Sequence, residues 1–370
     1  MIYLDNAATT KVLPSVAEAV HKALTENYAN PSAQYRFGLD AELEMERVKE
    51  SITAILGEGA VLFTSGATEA NNQAIFGLAK TYGRRKKKVV VTAIEHPSVL
   101  SACMELKNQG FEVVLVQPEN HEITKDAIIS AVDDNTCLVS AMLVNNETGL
   151  ILPIKEAFSA IKRKFPDCIT HTDCVQGFLK LPILYKTLNA DAISISGHKV
   201  HAPKGVGALW VKKGVRISPI LFGGGQQNAL RSGTEPTPLI FGFGEAIQEL
   251  SKEVKDRFEK VAEINAYARK RLLEIGCSIN SPETASPYIL SFSVGVVKSE
   301  TMLHFLDSQG VCVSAGSACS KGKLSEVLRI LNLPANTTLR VSFTASTTQD
   351  EIDALVQGVA KGLETLAKIR

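Results

Sequence analysis

The chain has 370 residues, is 45% hydrophobic and 21% charged, and carries a formal net charge of +1. This is the composition of an ordinary globular protein with a large core, and the balance of charge excludes a strongly basic nucleic-acid-binding or lipid-binding class. No apolar run reaches the ~20 residues that span a bilayer, and seven cysteines without a regular framework are typical of free thiols, so we expect a cytoplasmic protein without a membrane or nucleic-acid partner.

Strand-like apolar runs alternate with helical patterns over the first half of the chain and somewhat beyond it. The predicted strands are 61–63, 89–92, 113–116, 138–144, 169–173 and 191–196, and the predicted helices are 68–82, one after Pro97, 125–132 and 154–165. Continuous β-branched runs separated by helices predict an α/β fold with a mostly parallel sheet covered on both faces.

The pattern changes after Pro236. A helical stretch with an apolar face runs to about Ile275, and predicted strands near 289–293, 312–314 and 339–343 alternate with helices at 300–308, 324–331 and 349–368. We therefore expect a large domain over residues 15–250, and a smaller α+β domain that combines residues 1–14 with 251–370.

One short segment, Ser194-Ile-Ser-Gly-His-Lys199, carries the strongest chemical signal. It is the end of a predicted buried strand, followed by a sharp turn that delivers one lysine. A lysine held there is what a pyridoxal phosphate enzyme needs, because its amine forms a Schiff base with the cofactor aldehyde. The segment alone does not distinguish this role from an ordinary turn.

Two further segments would complete such a site. Thr64-Ser-Gly-Ala-Thr-Glu69 follows a strand and opens a helix, so its backbone N–H groups can bind a phosphate, although a simple capped helix start fits equally well. Asp173 ends another strand, with Gln176 three residues later. A carboxylate there keeps a pyridine nitrogen protonated, and the alternative is a helix cap or a buried ion pair.

Other strand ends carry polar side chains. Asn145-Asn-Glu-Thr-Gly149 could bond the cofactor's phenolic oxygen or simply form a turn. His96 could stack on a flat cofactor and transfer protons, or be structural. Arg231 and Arg340 could bind anions, or form surface ion pairs.

Cys319 differs from the other cysteines because it lies in a loop of small residues beside two lysines. Nearby cations stabilise a thiolate, so Cys319 is a candidate mobile nucleophile, the alternative being an unreactive loop cysteine. Cys168, His171 and Cys174 do not predict a metal site, because side chains alternate along a strand and His171 faces away from both thiols.

These residues, in this order, resemble the class V aminotransferase family, and within it the NifS/IscS-like cysteine desulfurases. The resemblance runs from Tyr3-Leu-Asp-Asn-Ala-Ala-Thr-Thr10 through Asn30-Pro-Ser to the segment around Arg340. It implies fold type I of the pyridoxal phosphate enzymes and a homodimer with active sites at the interface. It also implies conversion of L-cysteine to L-alanine, with the sulfur held as an enzyme persulfide.

The resemblance also implies roles for individual residues. Lys199 would hold the cofactor, His96 would stack on its ring as acid and base, and Asp173 would pair with its nitrogen. Cys319 would attack the substrate sulfur. The cofactor phosphate would be bound by Ala67, Thr68, Ser196, His198 and Thr234 of the other subunit, the phenolic oxygen by Asn146 and Gln176, and the substrate carboxylate by Arg340 with Asn30 beside it.

The chain departs from the family pattern in a slightly short loop after Cys319 and in Cys174, which stands where a small residue is usual. The implied sulfur acceptor is a partner protein such as an iron–sulfur scaffold or a tRNA-thiolating enzyme. Two alternatives remain from sequence: a selenocysteine lyase or other class V aminotransferase, and a non-enzymatic sulfur carrier or scaffold.

Overall fold

A computed structural model describes residues 1–315 and 324–366. The strands are β1 (Ile2–Tyr3), β2 (Gly59–Thr64), β3 (Lys88–Thr92), β4 (Glu112–Val116), β5 (Thr136–Ser140), β6 (Ile169–Asp173), β7 (Ala192–Ser196), β8 (Gly207–Lys212), β9 (Ser278–Ile279), β10 (Ile289–Ser293), β11 (Val311–Cys312) and β12 (Thr338–Ser342). The helices are α1 (Pro14–Thr25), α2 (Arg36–Leu56), α3 (Ala67–Tyr82), α4 (Pro97–Asn108), α5 (Lys125–Ser130), α6 (Ile154–Lys164), α7 (Thr237–Leu250), α8 (Val254–Glu274), α9 (Ser299–Ser308), α10 (Glu326–Ile330) and α11 (Gln349–Leu366).

The main sheet of the described residues has seven strands in the order β2-β8-β7-β6-β5-β3-β4. The central strands β3 to β7 are mutually parallel, whereas β8 is antiparallel to both of its neighbours. Strands β3, β5, β6 and β7 are buried along their whole length, as expected for a sheet that helices cover on both faces. The predicted α/β class and the mostly parallel sheet are confirmed.

Alternate residues of each strand enter two separate cores, because side chains point to opposite faces with a period of two. Val90 packs into a core that also holds residues of α2, α6 and α7. Its neighbours Val89 and Val91 pack into a second core with residues of α3 and α4. This two-sided burial leaves the polar ends of the strands as the place where a ligand can reach the sheet.

Several sequence expectations need correction. The predicted strand 138–144 ends as β5 at Ser140, and the helical stretch after Pro236 is two helices, α7 and α8, which residues 251–253 separate. Strand β8 was not predicted, although it follows β7 closely and pairs with it; its other pairing, with β2, joins segments more than 140 residues apart.

The C-terminal third builds a smaller sheet in the order β12-β10-β9, with antiparallel pairing, and α8 and α11 lie in contact beside it. Tyr267 of α8 donates to Asp353 of α11 at 2.8 Å. At the other end of the chain, β1 pairs in parallel with β11, so the N-terminal residues join the C-terminal part. No helix in residues 1–315 or 324–366 combines the length and the apolar character needed to cross a bilayer.

Gly207 holds β8 against the turn that opens α3, so we predict that Gly207→Ala destabilises the protein. A Cβ at this position would lie 2.8 Å from the backbone of Gly66 and 2.8 Å from the carbonyl oxygen of Ile195. Overpacking against backbone atoms costs about 1–3 kcal/mol, measurable as a lower urea midpoint.

Gly224→Ala is the matched control, since its Cβ would meet only the flexible Gln226 side chain. We expect it to change the free energy of unfolding by less than about 0.5 kcal/mol. Equal stability of Gly207→Ala and the parent protein would contradict the close approach described here.

Candidate active site

A cavity of about 540 Å³ lies at the carboxyl ends of β6 and β7, between the start of α3 and the N-terminal segment. Ten of the predicted site residues line it: Ala67, Thr68, His96, Asn146, Asp173, Gln176, Ser196, His198, Lys199 and Arg340. They come from six separate parts of the chain. The parallel strands bring all of them except Arg340 to one edge of the main sheet, and Arg340 comes from β12 of the smaller sheet.

Lys199 reaches the cavity from the short helical turn that follows β7. The turn is tight at Gly197, where a Cβ would lie 2.9 Å from the side chain of Val206. The Lys199 amine donates hydrogen bonds to the carbonyl oxygens of Ala7 and Ala8, at 2.7 and 2.6 Å. The N-terminal segment therefore covers and orients the lysine amine.

The start of α3 forms one end of the cavity. Gly66 precedes the helix with φ +151°, and no atom lies within 4 Å of the position that a Cβ would take there. The first N–H groups of a helix have no acceptor within the helix, and the helix dipole favours an anion beside them. Ser196 Oγ is buried in the same cavity without a hydrogen-bond partner among the described residues.

His198 stands beside this end of the cavity, with Nδ1 3.2 Å from Thr9 Oγ1. Burial, together with the nearby Lys199 and Lys204, lowers the pKa of His198 to about 4. The imidazole is therefore neutral at physiological pH, and can donate one hydrogen bond without adding charge.

Asp173, at the end of β6, is held by two N–H donors. Its Oδ1 accepts from the Val175 backbone at 2.9 Å, and its Oδ2 accepts from Asn71 Nδ2 at 2.8 Å. No lysine, arginine or histidine among the described residues forms an ion pair with it. The carboxylate is 5% exposed and lines the cavity, so it can pair with a cationic atom of a ligand.

His96 is both structural and available to a ligand. Its Nδ1 caps α4 by accepting from the Ser98 backbone at 3.1 Å, which leaves the proton of the neutral ring on Nε2. Burial lowers the pKa of His96, the Asp173 carboxylate opposes this shift, and Lys199 adds to it. The structural role of His96 is therefore observed, its Nε2 stays available to a ligand, and its chemical role remains a prediction from sequence.

Arg340, on β12, enters the opposite side of the cavity. Its guanidinium donates to Asp5 Oδ1 at 2.7 Å and to the Asn146 carbonyl at 2.8 Å. Its Nε is buried without a partner among the described residues. Of the two adjacent asparagines, Asn145 shapes the turn by accepting from the backbone of Glu147 and Thr148, whereas Asn146 lines the cavity.

Three predicted residues are not part of this cavity as described. Asn30 is exposed, and its Oδ1 accepts from the Ser32 backbone at 2.9 Å. Thr234 is exposed, in the segment that follows the three glycines at residues 223–225. Cys319 lies outside the described residues, so its role stays a prediction from sequence.

Other contributors were not identified from sequence. Asn71 orients Asp173, Asp5 pairs with Arg340, and Glu69 forms an ion pair with Arg231 at 2.8 Å. The helical periodicity of α3, which begins just after the turn at Ser65, would have placed Asn71 on the buried face of the helix. The partners of Asp5 and Glu69 lie more than 160 residues away and had no local signal.

The cysteines near β6 are core residues. His171 is fully buried, with Nδ1 2.8 Å from Ser140 Oγ and Nε2 3.0 Å from Ser194 Oγ. Cys174 is also fully buried, and desolvation raises its pKa strongly, so its thiol is unreactive. Within residues 1–315 and 324–366 no group of three or more His, Cys, Asp or Glu side chains could hold a metal ion.

The fold and the cavity can now be set beside known proteins, because a protein-family model matches nearly the whole chain. The model of the class-V aminotransferases covers residues 2–355. The chain belongs to the class V aminotransferase family, a family of enzymes that use pyridoxal phosphate in general.

Within that family the chain is most usefully compared with proteins named for sulfur chemistry. A cysteine desulfurase of Nostoc sp. (strain PCC 7120) is 37% identical over 377 residues, which span 99% of this chain and 94% of the relative. A solved NifS-like protein superposes with a TM-score of 0.92 at 32% identity, covering 98% and 99% of the two chains. A structure of SspA in complex with cysteine gives 0.83 at 32% identity, covering 94% and 100%.

The burial of His171 predicts a loss of stability in mild acid. Desolvation lowers the pKa of His171 to about 3, below the 6.5 of the unfolded chain. Between these values the unfolded state binds the extra proton, so the free energy of unfolding falls as pH drops below 6.5. Its contribution is fully present above pH 6.5 and falls by about 1.4 kcal/mol per pH unit.

Urea unfolding at pH 7.5 and pH 5.0 measures this effect, with His171→Asn as the comparison. We expect the parent protein to lose about 2 kcal/mol more than the variant between the two pH values. An equal loss in both proteins would contradict the assignment of the buried proton acceptor to His171.

Proposed function

We propose that this protein is a pyridoxal phosphate-dependent cysteine desulfurase, which converts L-cysteine to L-alanine and holds the sulfur as a persulfide on Cys319. The observation that carries the proposal is one cavity that joins Lys199, Asp173 and the first turn of α3. The full-length similarity to proteins named cysteine desulfurase supports the same activity.

The cavity residues fit the cofactor. The α3 N-terminus, Thr68 and the unpartnered Ser196 hydroxyl suit its phosphate, and Lys199 is placed to hold its aldehyde carbon. Asp173 has amide donors but no cationic partner among the described residues, so it suits a protonated pyridine nitrogen. When bound there, pyridoxal phosphate supplies an electron sink for the substrate Cα.

The chain's own groups bind and deprotonate the substrate. The buried Nε of Arg340, together with a remaining N–H, would bind the substrate carboxylate, and Asn146 lies beside it. The Lys199 amine would remove the Cα proton and later return one. His96, neutral and protonated on Nε2, would stack on the ring and donate a hydrogen bond.

Cys319 would supply the nucleophile. Its thiolate would form a bond to the substrate sulfur while the bond from that sulfur to the substrate Cβ breaks and its electron pair passes to carbon. A proton equivalent to the one lost from the substrate thiol would then bind Cβ, and the proton that Lys199 returns to Cα would complete alanine. The strand pairing of Ser314 with Arg340 supports this role, because it anchors the chain five residues before Cys319 beside the proposed carboxylate site.

We further propose a homodimer, with Thr234 of one subunit completing the phosphate site of the other. Large apolar side chains are exposed at Leu24, Tyr28, Tyr35, Leu39 and Leu43, the kind of surface that subunits bury. The dimer surface and the cofactor lysine both lie in the large domain that we propose, which comprises residues 15–250. The smaller proposed domain comprises residues 1–14 and 251–370.

The sulfur acceptor that we propose is another protein, of the iron–sulfur scaffold or tRNA-thiolating kind. A cytoplasmic location accords with the proposal, because a reducing compartment keeps the Cys319 thiol unpaired and able to attack the substrate.

Cys319→Ala separates sulfur transfer from cofactor binding. We expect the variant to retain bound pyridoxal phosphate and its yellow colour, but to lose at least 99% of the alanine formed from L-cysteine, because no thiolate attacks the substrate sulfur. Cys312→Ala, a half-buried thiol of β11, is the control and should keep its activity. Full activity of Cys319→Ala, or parent protein that binds no cofactor, would refute the proposal.

Mixing two inactive variants tests the shared site. In dimers that combine Lys199→Ala with Thr234→Ala, one of the two sites has both native residues. Random exchange makes about half of the dimers mixed, so we expect about a quarter of parental alanine formation. Either variant alone should stay well below that level. No recovery in mixtures whose subunits demonstrably exchange would contradict the contribution of Thr234 across the interface.

A further inference from the structure

Lys180 is a buried lysine that none of the steps above uses. It lies 7% exposed, four residues after Gln176, in the apolar segment that follows β6. Its Nζ donates to Gln176 Oε1 at 2.9 Å and lies 5.8 Å from the centre of the Tyr288 ring. No aspartate or glutamate of the described residues forms an ion pair with it. A buried ammonium without a counter-ion costs stability, so its presence calls for a function.

The contact fixes the orientation of the Gln176 amide. The charged form of the lysine amine has three donors and no acceptor, so the oxygen of the Gln176 amide faces it. The amide nitrogen is therefore turned the other way, where it donates to the Ala7 carbonyl at 2.9 Å. Gln176 and Ala7 both line the cavity, so Lys180 determines that Gln176 presents an N–H donor to that side.

The same hydrogen-bonded chain reaches the cofactor lysine. The Ala7 carbonyl accepts from Gln176 Nε2 and also from Lys199 Nζ, at 2.9 and 2.7 Å. Consecutive hydrogen bonds thus link Lys180, Gln176, the Ala7 carbonyl and Lys199. A change at Lys180 is transmitted first to Gln176.

The charges around Lys180 oppose its protonation. The groups that face it are Lys199, Arg257, Arg340, His198, His201, the Tyr288 ring and the Gln176 amide. Burial lowers the pKa of Lys180 to about 7, and the three cations add to this effect. An anionic ligand in the neighbouring cavity would favour the charged amine, and would strengthen its hydrogen bond to Gln176.

We propose that Lys180 is a positioning residue that locks the Gln176 amide with its nitrogen toward the cavity, so that this nitrogen donates to the phenolic oxygen of the cofactor. The proposal rests on the proposed function, because it names the group that orients a residue of that site. A donor to this oxygen stabilises its anionic form, and its loss would make the Lys199 nitrogen that holds the neighbouring aldehyde carbon more basic.

Lys180→Met tests the proposal by spectroscopy and by stability. In the holoenzyme, we expect the midpoint of the pH titration of the cofactor absorption band to rise by about one unit, through loss of one charge-assisted hydrogen bond. In the apoprotein, we expect an unchanged or higher urea midpoint, because an unpaired buried charge has been removed. A lower urea midpoint with an unshifted band would mean that Lys180 is merely structural.

The Gln176→Leu background shows whether Lys180 acts through Gln176. In that background, adding Lys180→Met should shift the band midpoint by less than about 0.3 unit, because the residue it orients is gone. An equal shift in both backgrounds would overturn the proposal, and would assign the effect to the field of the charge alone. Lys180→Gln, which keeps a donor, replaces Lys180→Met if the latter does not fold, and should give a smaller shift.

The parent protein separates this inference from the proposed function. Parent protein without a cofactor band after reconstitution would refute the proposed function, and the inference would fall with it. A parent protein with the band, but with Lys180 variants whose band midpoints match it, would refute the inference alone.

Discussion

The parallel register of β6 and β7 is the constraint on which the site depends. Asp173, the last residue of β6, pairs with Ser194, two residues before β7 ends at Ser196. The carboxylate and the turn that carries Lys199 therefore leave the sheet at the same edge, which is the general location of ligand sites in such sheets. A one-residue slip would turn both sets of side chains into the opposite core. Full burial of the two strands on both faces stabilises the register.

The carboxylates around the cavity are each stabilised in a different way, and the differences define what the cavity can bind. Glu69 is paired with Arg231, and Asp5 with Arg340. Glu95 is fully buried, and desolvation raises its pKa to about 8, so it is protonated at neutral pH. Asp173 lines the cavity and is held by uncharged N–H donors, from Asn71 and Val175, without a cationic partner among the described residues. It is therefore the carboxylate that can accept a cationic ring nitrogen.

The sequence predicted the parts of the site that depend on local chain order. Lys199, Asp173 and the start of α3 each follow a strand, and strand ends can be located from apolar runs. Contacts between distant segments could not be predicted in this way: the Asp5–Arg340 pair spans 335 residues, and β8 pairs with its neighbour β2 across more than 140 residues of chain. Lys180 was overlooked because it stands in an apolar segment, where a single lysine gives no pattern. The prediction for Cys319 concerns a segment beyond the described residues, and rests on composition and family resemblance.

In the proposed reaction, the cofactor held by Lys199 activates the substrate, and the thiol of Cys319, 120 residues further along the chain, removes its sulfur. The most direct measurement is the fate of the sulfur after the purified protein is incubated with L-cysteine in the absence of an acceptor. Our account predicts one alanine for each sulfur atom bound to protein in the first turnover, with the added mass on the peptide that contains Cys319. Alanine formed with the sulfur released directly as sulfide, or carried on another cysteine, would contradict it.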